Sequence, residues 1–170
     1  MSSNDTPKTA VTPRIYVACL ASYNAGRLVG TWIDIDQDAD DIHAEIQAML
    51  AASPEPGAEE WRIDDFDGLG SYRLSEYESI ENVAAIGKLI AEHGPLAAEV
   101  LTHVSGVDEA REMLDDQYQG AFKNLAAWAE QLMEDTGQLN ALPENLRCYF
   151  DHEAFARDAE LGGDILAIET

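Results

Sequence analysis

The densest run of side chains able to do chemistry is Asp34-Ile-Asp36-Gln-Asp38-Ala-Asp40-Asp41-Ile-His-Ala-Glu45. Its carboxylates at the first, third, fifth and twelfth positions match the oxygen ligands of an EF-hand calcium loop. Two features count against that chemistry. The sharp turn of such a loop needs glycine at its sixth position, where Ala39 stands, and both flanks should be helical, whereas Thr31-Trp-Ile-Asp favours a strand. A strand end followed by a charged helix start, with Asp38 as cap, accounts for the same residues. Calcium binding by Asp34 to Glu45 is therefore an alternative and not the main reading.

Other catalytic or ligating patterns are thinner. Gly87-Lys88 is preceded by Asn82 where a phosphate loop needs its opening glycine, and Leu89 follows it. His43, His93, His103 and His152 show neither HxxxH nor HExxH spacing, and Cys19 and Cys148 match no zinc pattern, so surface histidines and free thiols are expected. Asp64 with Asp65, or Asp115 with Asp116, could do acid/base work. Among 33 acidic residues, however, such neighbours arise without catalysis, and no nucleophile motif accompanies them. The sequence thus predicts a protein that is not an enzyme, with no catalytic residue, cofactor or metal. Trp32, Trp61 and Trp128 lie within apolar patterns and are expected in the core.

What remains is charge. Ten Lys and Arg stand against 33 Asp and Glu, a net charge of -23 over 170 residues, and the acids run from Asp5 to Glu169 instead of forming a tail. With 46% hydrophobic residues the chain can bury a core, so the carboxylates coat something folded. Such a field repels nucleic acid and anionic membrane surfaces, which excludes direct binding to either and leaves basic protein clefts or cations as partners. The N-terminus has no apolar signal region and no stretch approaches the length of a membrane helix, so a cytoplasmic protein is expected. Duplex DNA carries about one charge per 1.7 Å of axis, so 23 charges equal roughly 39 Å, or about 11 to 12 base pairs. DNA mimicry is feasible on that scale, but an acid-rich, salt-adapted interaction module has the same composition.

The elements that must carry this charge follow from periodicity. Residues 1–13 are rich in Ser, Thr, Asn and Pro and are expected as a disordered tail. Arg14 to Ala21 and Leu28 to Ile35 favour a β-hairpin about YNAGR, a helix runs from Asp38 to about Ala52 on Ile42, Ile46, Met49 and Leu50, and Glu60 to Phe66 supplies a third strand. These form an α+β subdomain over 14–67. A helical middle subdomain, 68–106, holds one helix from Ser79 to Gly94 and another from Pro95 to about His103. The last subdomain, 107–170, is again read as α+β: a helix Asp108 to Asp116, an extended piece Tyr118 to Phe122, a helix Asn124 to Asp135 ending at Gly137, helical turns Glu144 to Phe150 and Asp151 to Glu160, and a strand Ile165 to Ile168. The fold class is α+β, an elongated chain of two small α+β subdomains flanking a helical one.

Two stretches carry a resemblance: Arg14-IYVACLASYNAGRLVGTWID-Ile35 and Leu142-PENLRCYFDHEAFARDAE-Leu161, with Glu76-YESIEN-Val83 between them. In order and over nearly the whole chain they resemble the ArdA antirestriction family, and Leu-Pro-x-Asn-Leu-x-x-Tyr-Phe-Asp, here Leu142 to Asp151, overlaps its antirestriction motif. The resemblance implies a non-enzymatic inhibitor carried by mobile elements such as conjugative plasmids and transposons. Its target would be a Type I restriction-modification enzyme, whose methyltransferase core of specificity and modification subunits holds the DNA-binding cleft. It implies an elongated, three-domain homodimer resembling bent B-form DNA and joined through its C-terminal domain. Leu142, Pro143, Asn145, Leu146, Tyr149, Phe150 and Asp151 would then be structural and dimer-forming. The enzyme would be met by acidic side chains, with Asp34, Asp36, Asp38, Asp40, Asp41, Glu45, Glu59, Glu60, Asp64, Asp65, Asp67, Glu76, Glu78, Glu81, Asp108, Glu109, Glu112, Asp115 and Asp116 as candidates.

Overall fold

The structure is a computed structural model that describes residues 12–170. It divides into two compact units, one running to Gln117 and the other spanning Tyr118–Glu169. Residues 1–11 of the expected disordered tail lie outside the described residues. Of the same segment, Pro13 is described and is part of the fold: it is buried, and its carbonyl accepts the Ile35 N–H at 2.9 Å.

The first unit is built on three antiparallel strands, β1 (Arg14–Cys19), β2 (Gly30–Asp34) and β3 (Trp61–Asp67), in the order β2-β1-β3. The expected hairpin and third strand are thus present, with the most apolar strand in the centre. A one-turn helix, α1 (Leu20–Asn24), sits in the hairpin connection, and Gly26 leaves it at φ +79°, a conformation glycine adopts without a Cβ penalty. Strand alternation sends Ile15, Val17, Cys19, Ile33 and Ile63 into the core. The helix α2 (Ala39–Ala51) packs on β1 and β2 and buries Ile42, Ile46, Met49 and Leu50, as its periodicity requires.

Helix α3 (Ile80–His93) packs on α2, and Gly87 explains how closely it approaches the strands. A Cβ at that position would stand 2.0 Å from the backbone oxygen of Ile35, a distance no side chain tolerates. The Ser79 hydroxyl caps α3 by accepting the Asn82 N–H at 3.2 Å, and Gly94 at φ +69° ends it before Pro95 starts α4 (Pro95–Leu101). Helix α5 (Val107–Asp116) buries Ala110 and Leu114 and packs on α3 and α4. The sequence grouped this helix with the C-terminal subdomain by placing a boundary at 106/107. Its apolar stripe instead joins the first unit, and the chain divides after Gln117.

The second unit contains no strand among its described residues, which corrects the α+β expectation for the C-terminal part. It is two helices, α6 (Leu125–Thr136) and α7 (His152–Leu161), joined through two 3-10 turns, Gln138–Ala141 and Glu144–Tyr149. Trp128, Ala129, Ala156 and Ala159 form its core, with Leu125, Leu132, Phe155 and Ile165 packed around them. Tyr118 to Phe122 is irregular, and its Gln119 accepts the Trp128 indole N–H at 2.8 Å. Ile165 to Ile168 is also irregular, with Ile165 used as an apolar plug instead of a strand residue. Extended-structure propensity reflects fit to a paired, half-buried surface, and neither segment pairs with a strand. Asn124 and Asp151 accept the Ala127 and Ala154 N–H groups at 2.8 and 2.9 Å and so fix both helix starts. Gly137, at φ +65°, closes α6 where the sequence placed its end.

Candidate acidic interaction surface

The 19 candidate carboxylates reach the surface from strands, helices and the segments between them. Asp34 ends β2, Asp36 lies in the turn beyond it, and Asp38, Asp40, Asp41 and Glu45 occupy the start of α2. Glu59 and Glu60 precede β3, while Asp64, Asp65 and Asp67 lie on it; Glu76, Glu78 and Glu81 flank the start of α3, and the remainder line α5. All are exposed residues except Glu78, which is half-buried and accepts the Asn82 amide at 3.0 Å, although the Asp64 side chain, held by Arg62, is largely covered. Acids in the first turn of α2, α3 and α5 face the positive end of the helix dipole, which gives the local reason for their placement.

Neutralisation is sparse. Seven of the 32 side-chain carboxylates among the described residues lie within ion-pair distance of a basic side chain: Asp38 with Lys88, Glu55 with Arg27, Asp64 with Arg62, Asp67 with Arg14 and Glu92 with Arg111, and, as ion pairs only when the imidazole is protonated, Glu81 with His43 and Asp115 with His93. The other 25 make none among the described residues, so the basic side chains do not mask the field. Lys88, hydrogen-bonded to Asp38, holds that carboxyl below its usual range, and Arg111 does the same for Glu92. Glu81 is lowered by its own backbone N–H and then by His43, and Glu109 by the backbone N–H and hydroxyl of Ser105 at 2.9 and 2.8 Å. Each of these four carboxyls therefore favours its ionised form more than a free carboxyl does.

Asp38 corrects one detail of the sequence reading. It stands at the cap position of α2, but its side chain caps no backbone N–H and binds Lys88 of α3 instead. The Asp34 to Glu45 segment passes from strand through a turn into helix, so an entering helix, half of an EF-hand, is missing. Among the described residues no three His, Cys, Asp or Glu side chains are grouped to hold a metal. Trp32 departs from its expected core position: it is 40% exposed on the open sheet face, 5.4 Å from Tyr16 and under the Arg14 guanidinium.

In the second unit the motif residues divide by role. Asp151 caps α7, Phe150 packs 5.8 Å from Phe155, and the Pro143 carbonyl and Asn145 carbonyl serve the turn at Glu144–Tyr149. Leu142, Leu146 and Tyr149 point outward, Tyr149 with 80% of its surface exposed. Sequence reasoning missed the acids of this unit as surface candidates. Residues 118–169 hold ten carboxylates against three basic side chains, and Glu130, Glu134, Asp135, Glu153, Asp158 and Glu160 are all exposed on α6 and α7. The signal was available in the even spread of charge along the chain. No helix among the described residues is long and apolar enough to cross a membrane.

No curated protein matches the chain. The profile of the family described as Antirestriction protein (ArdA) matches residues 15–170, from β1 through both compact units to the last residue. That match covers the sheet, the acidic helix starts and the Leu142 to Asp151 turn together, and the chain therefore belongs to the ArdA antirestriction family.

Proposed function

We propose that this antirestriction protein is a non-enzymatic mimic of DNA that occupies the DNA-binding cleft of a Type I restriction-modification enzyme and excludes duplex. Family membership supports an antirestriction role and an encounter with restriction-modification enzymes in general. The observation that carries the finer reading is the set of 25 carboxylates without an ion-pair partner among the described residues, present on both compact units. A cleft that grips phosphates with Lys and Arg meets carboxylates in their place, and the gain is counterion release from both surfaces. No bond is made or broken. The exposed Leu142, Leu146 and Tyr149 support pairing of two chains through the second unit, which would double the charge offered. The carrier would be a mobile element whose incoming DNA needs protection in the recipient's cytoplasm.

Competition tests this directly. The full chain is titrated into a purified Type I methyltransferase core, of specificity and modification subunits, holding a labelled duplex. Displacement at stoichiometric concentrations is expected. A folded chain that leaves the duplex bound refutes the proposal.

A further inference from the structure

Within the first unit, a groove of about 340 Å³ opens between α2, the start of β3 and the segment leading into α3. Trp61 and Tyr77 line it, and Tyr77 is 71% exposed, an aromatic ring that no core requirement accounts for. Glu76, Glu78 and Glu81 line the same groove, and among the described residues His43 is the only basic side chain there, with no Lys or Arg contributing. Glu78 is engaged by Asn82, and Glu81 by His43 at 3.5 Å, while Glu76 makes no ion pair among the described residues. Aromatic walls with a carboxylate rim exclude an anion and disfavour a purely apolar side chain, which would strip water from the carboxylates. The carboxylates are not grouped as metal ligands.

We infer that this groove receives a single guanidinium group, an arginine side chain presented by a basic protein partner. The guanidinium is planar and weakly hydrated, stacks on Trp and Tyr faces and offers a fork of N–H donors to carboxylates. An ammonium is a compact, strongly hydrated point charge that matches this combination less well. Assigning the arginine to the restriction-modification enzyme rests on the function proposed above; the preference of the groove for a guanidinium does not. On that assignment the groove is a point of selectivity inside a diffuse acidic surface, distinguishing a cleft with an arginine at one position from any other basic cleft.

The test uses the full-length, nitrogen-15-labelled chain and the indole N–H resonances of Trp32, Trp61 and Trp128. Titration with N-acetyl-argininamide is expected to move the Trp61 resonance and leave the other two in place, since Trp128 is buried and the Trp32 ring already carries Arg14 at 4.7 Å. N-acetyl-lysinamide is expected to move Trp61 less. Tyr77→Ala, which removes an exposed ring and spares the core, should weaken the arginine response by about two- to fivefold. A fixed Trp61 resonance, equal responses to the two amides, or an unaffected Tyr77→Ala chain overturns the inference. The displacement assay then separates the two readings. If the parent chain displaces duplex and Tyr77→Ala does so equally well, the partner assignment fails and DNA mimicry stands. If the parent chain displaces nothing while Trp61 still responds to arginine, mimicry fails and the guanidinium groove stands.

Discussion

Gly87 shows how a single residue can be visible in the sequence and still hide its meaning. Next to Lys88 it suggests a failed phosphate loop; in the fold it is the contact that lets α3 rest on the end of β2. Helix propensity alone predicts that Gly87→Ala gains about 1 kcal/mol. The 2.0 Å approach to the Ile35 oxygen reverses the sign, because backbone must move to admit the methyl group. A net loss of about 1–3 kcal/mol is expected, of the size of other overpacking substitutions, and a lower urea midpoint at unchanged slope checks it. Asp38 likewise has a role that spacing does not reveal: its expected cap is replaced by a tie to Lys88, 50 residues away. Its lowered folded-state pKa makes the sign definite. The stabilisation is fully present above the unfolded value and is lost as pH falls through the folded value. An Asp38→Asn chain should therefore be less stable than the parent near neutrality and converge with it in acid, as paired denaturation curves across pH would show. Convergence at neutral pH would mean the exposed pair contributes nothing.

Elements were legible where one local rule decided them. The caps Ser79, Asn124 and Asp151 and the breakers Gly94 and Gly137 fixed helix ends because their chemistry acts within a few residues. The strand pattern of Arg14 to Cys19 was sufficient because its residues are mostly apolar and β-prone, and the strand is buried throughout its second half. Tyr118 to Phe122 and Ile165 to Ile168 failed as strands since pairing is a long-range event, and apolar residues there serve a helical core instead. The boundary after Gln117 was missed for the same reason: the stripe of Ala110 and Leu114 says that α5 packs, not on what. The turn at Glu144–Tyr149 adds a prediction at this scale. Phe150 packs on Phe155 of α7 and Asp151 caps that helix, so Phe150→Ala should destabilise the second unit, whereas Leu146→Glu and Tyr149→Glu alter only exposed surface. If this face joins two chains, the latter pair should halve the mass in sedimentation while circular dichroism stays unchanged. Unaltered mass at matched concentration would move the pairing elsewhere.

For the whole molecule the question is what an unmasked charge of -23 does to folding and to binding, because salt acts on the two in opposite directions. Within one chain the carboxylates repel, and raising ionic strength from about 0.1 to 1 M shortens the screening length from about 10 to 3 Å. Repulsion then falls, so both compact units should melt later, with roughly 4–8 °C gained for each ~1 kcal/mol recovered in units of this size. Hydrophobic burial is not weakened by such salt, so nothing in the core opposes the trend. Between chain and enzyme the same screening removes attraction and lowers the gain from counterion release. Displacement of duplex should therefore need at least about tenfold more protein when salt rises from about 50 to 200 mM, provided the labelled duplex is corrected for its own salt dependence. A salt-adapted module with no basic partner would show the first effect without the second and would lose circular dichroism at low salt. A DNA mimic must show both while remaining folded, so melting and displacement measured over one salt series distinguish the two origins of this composition.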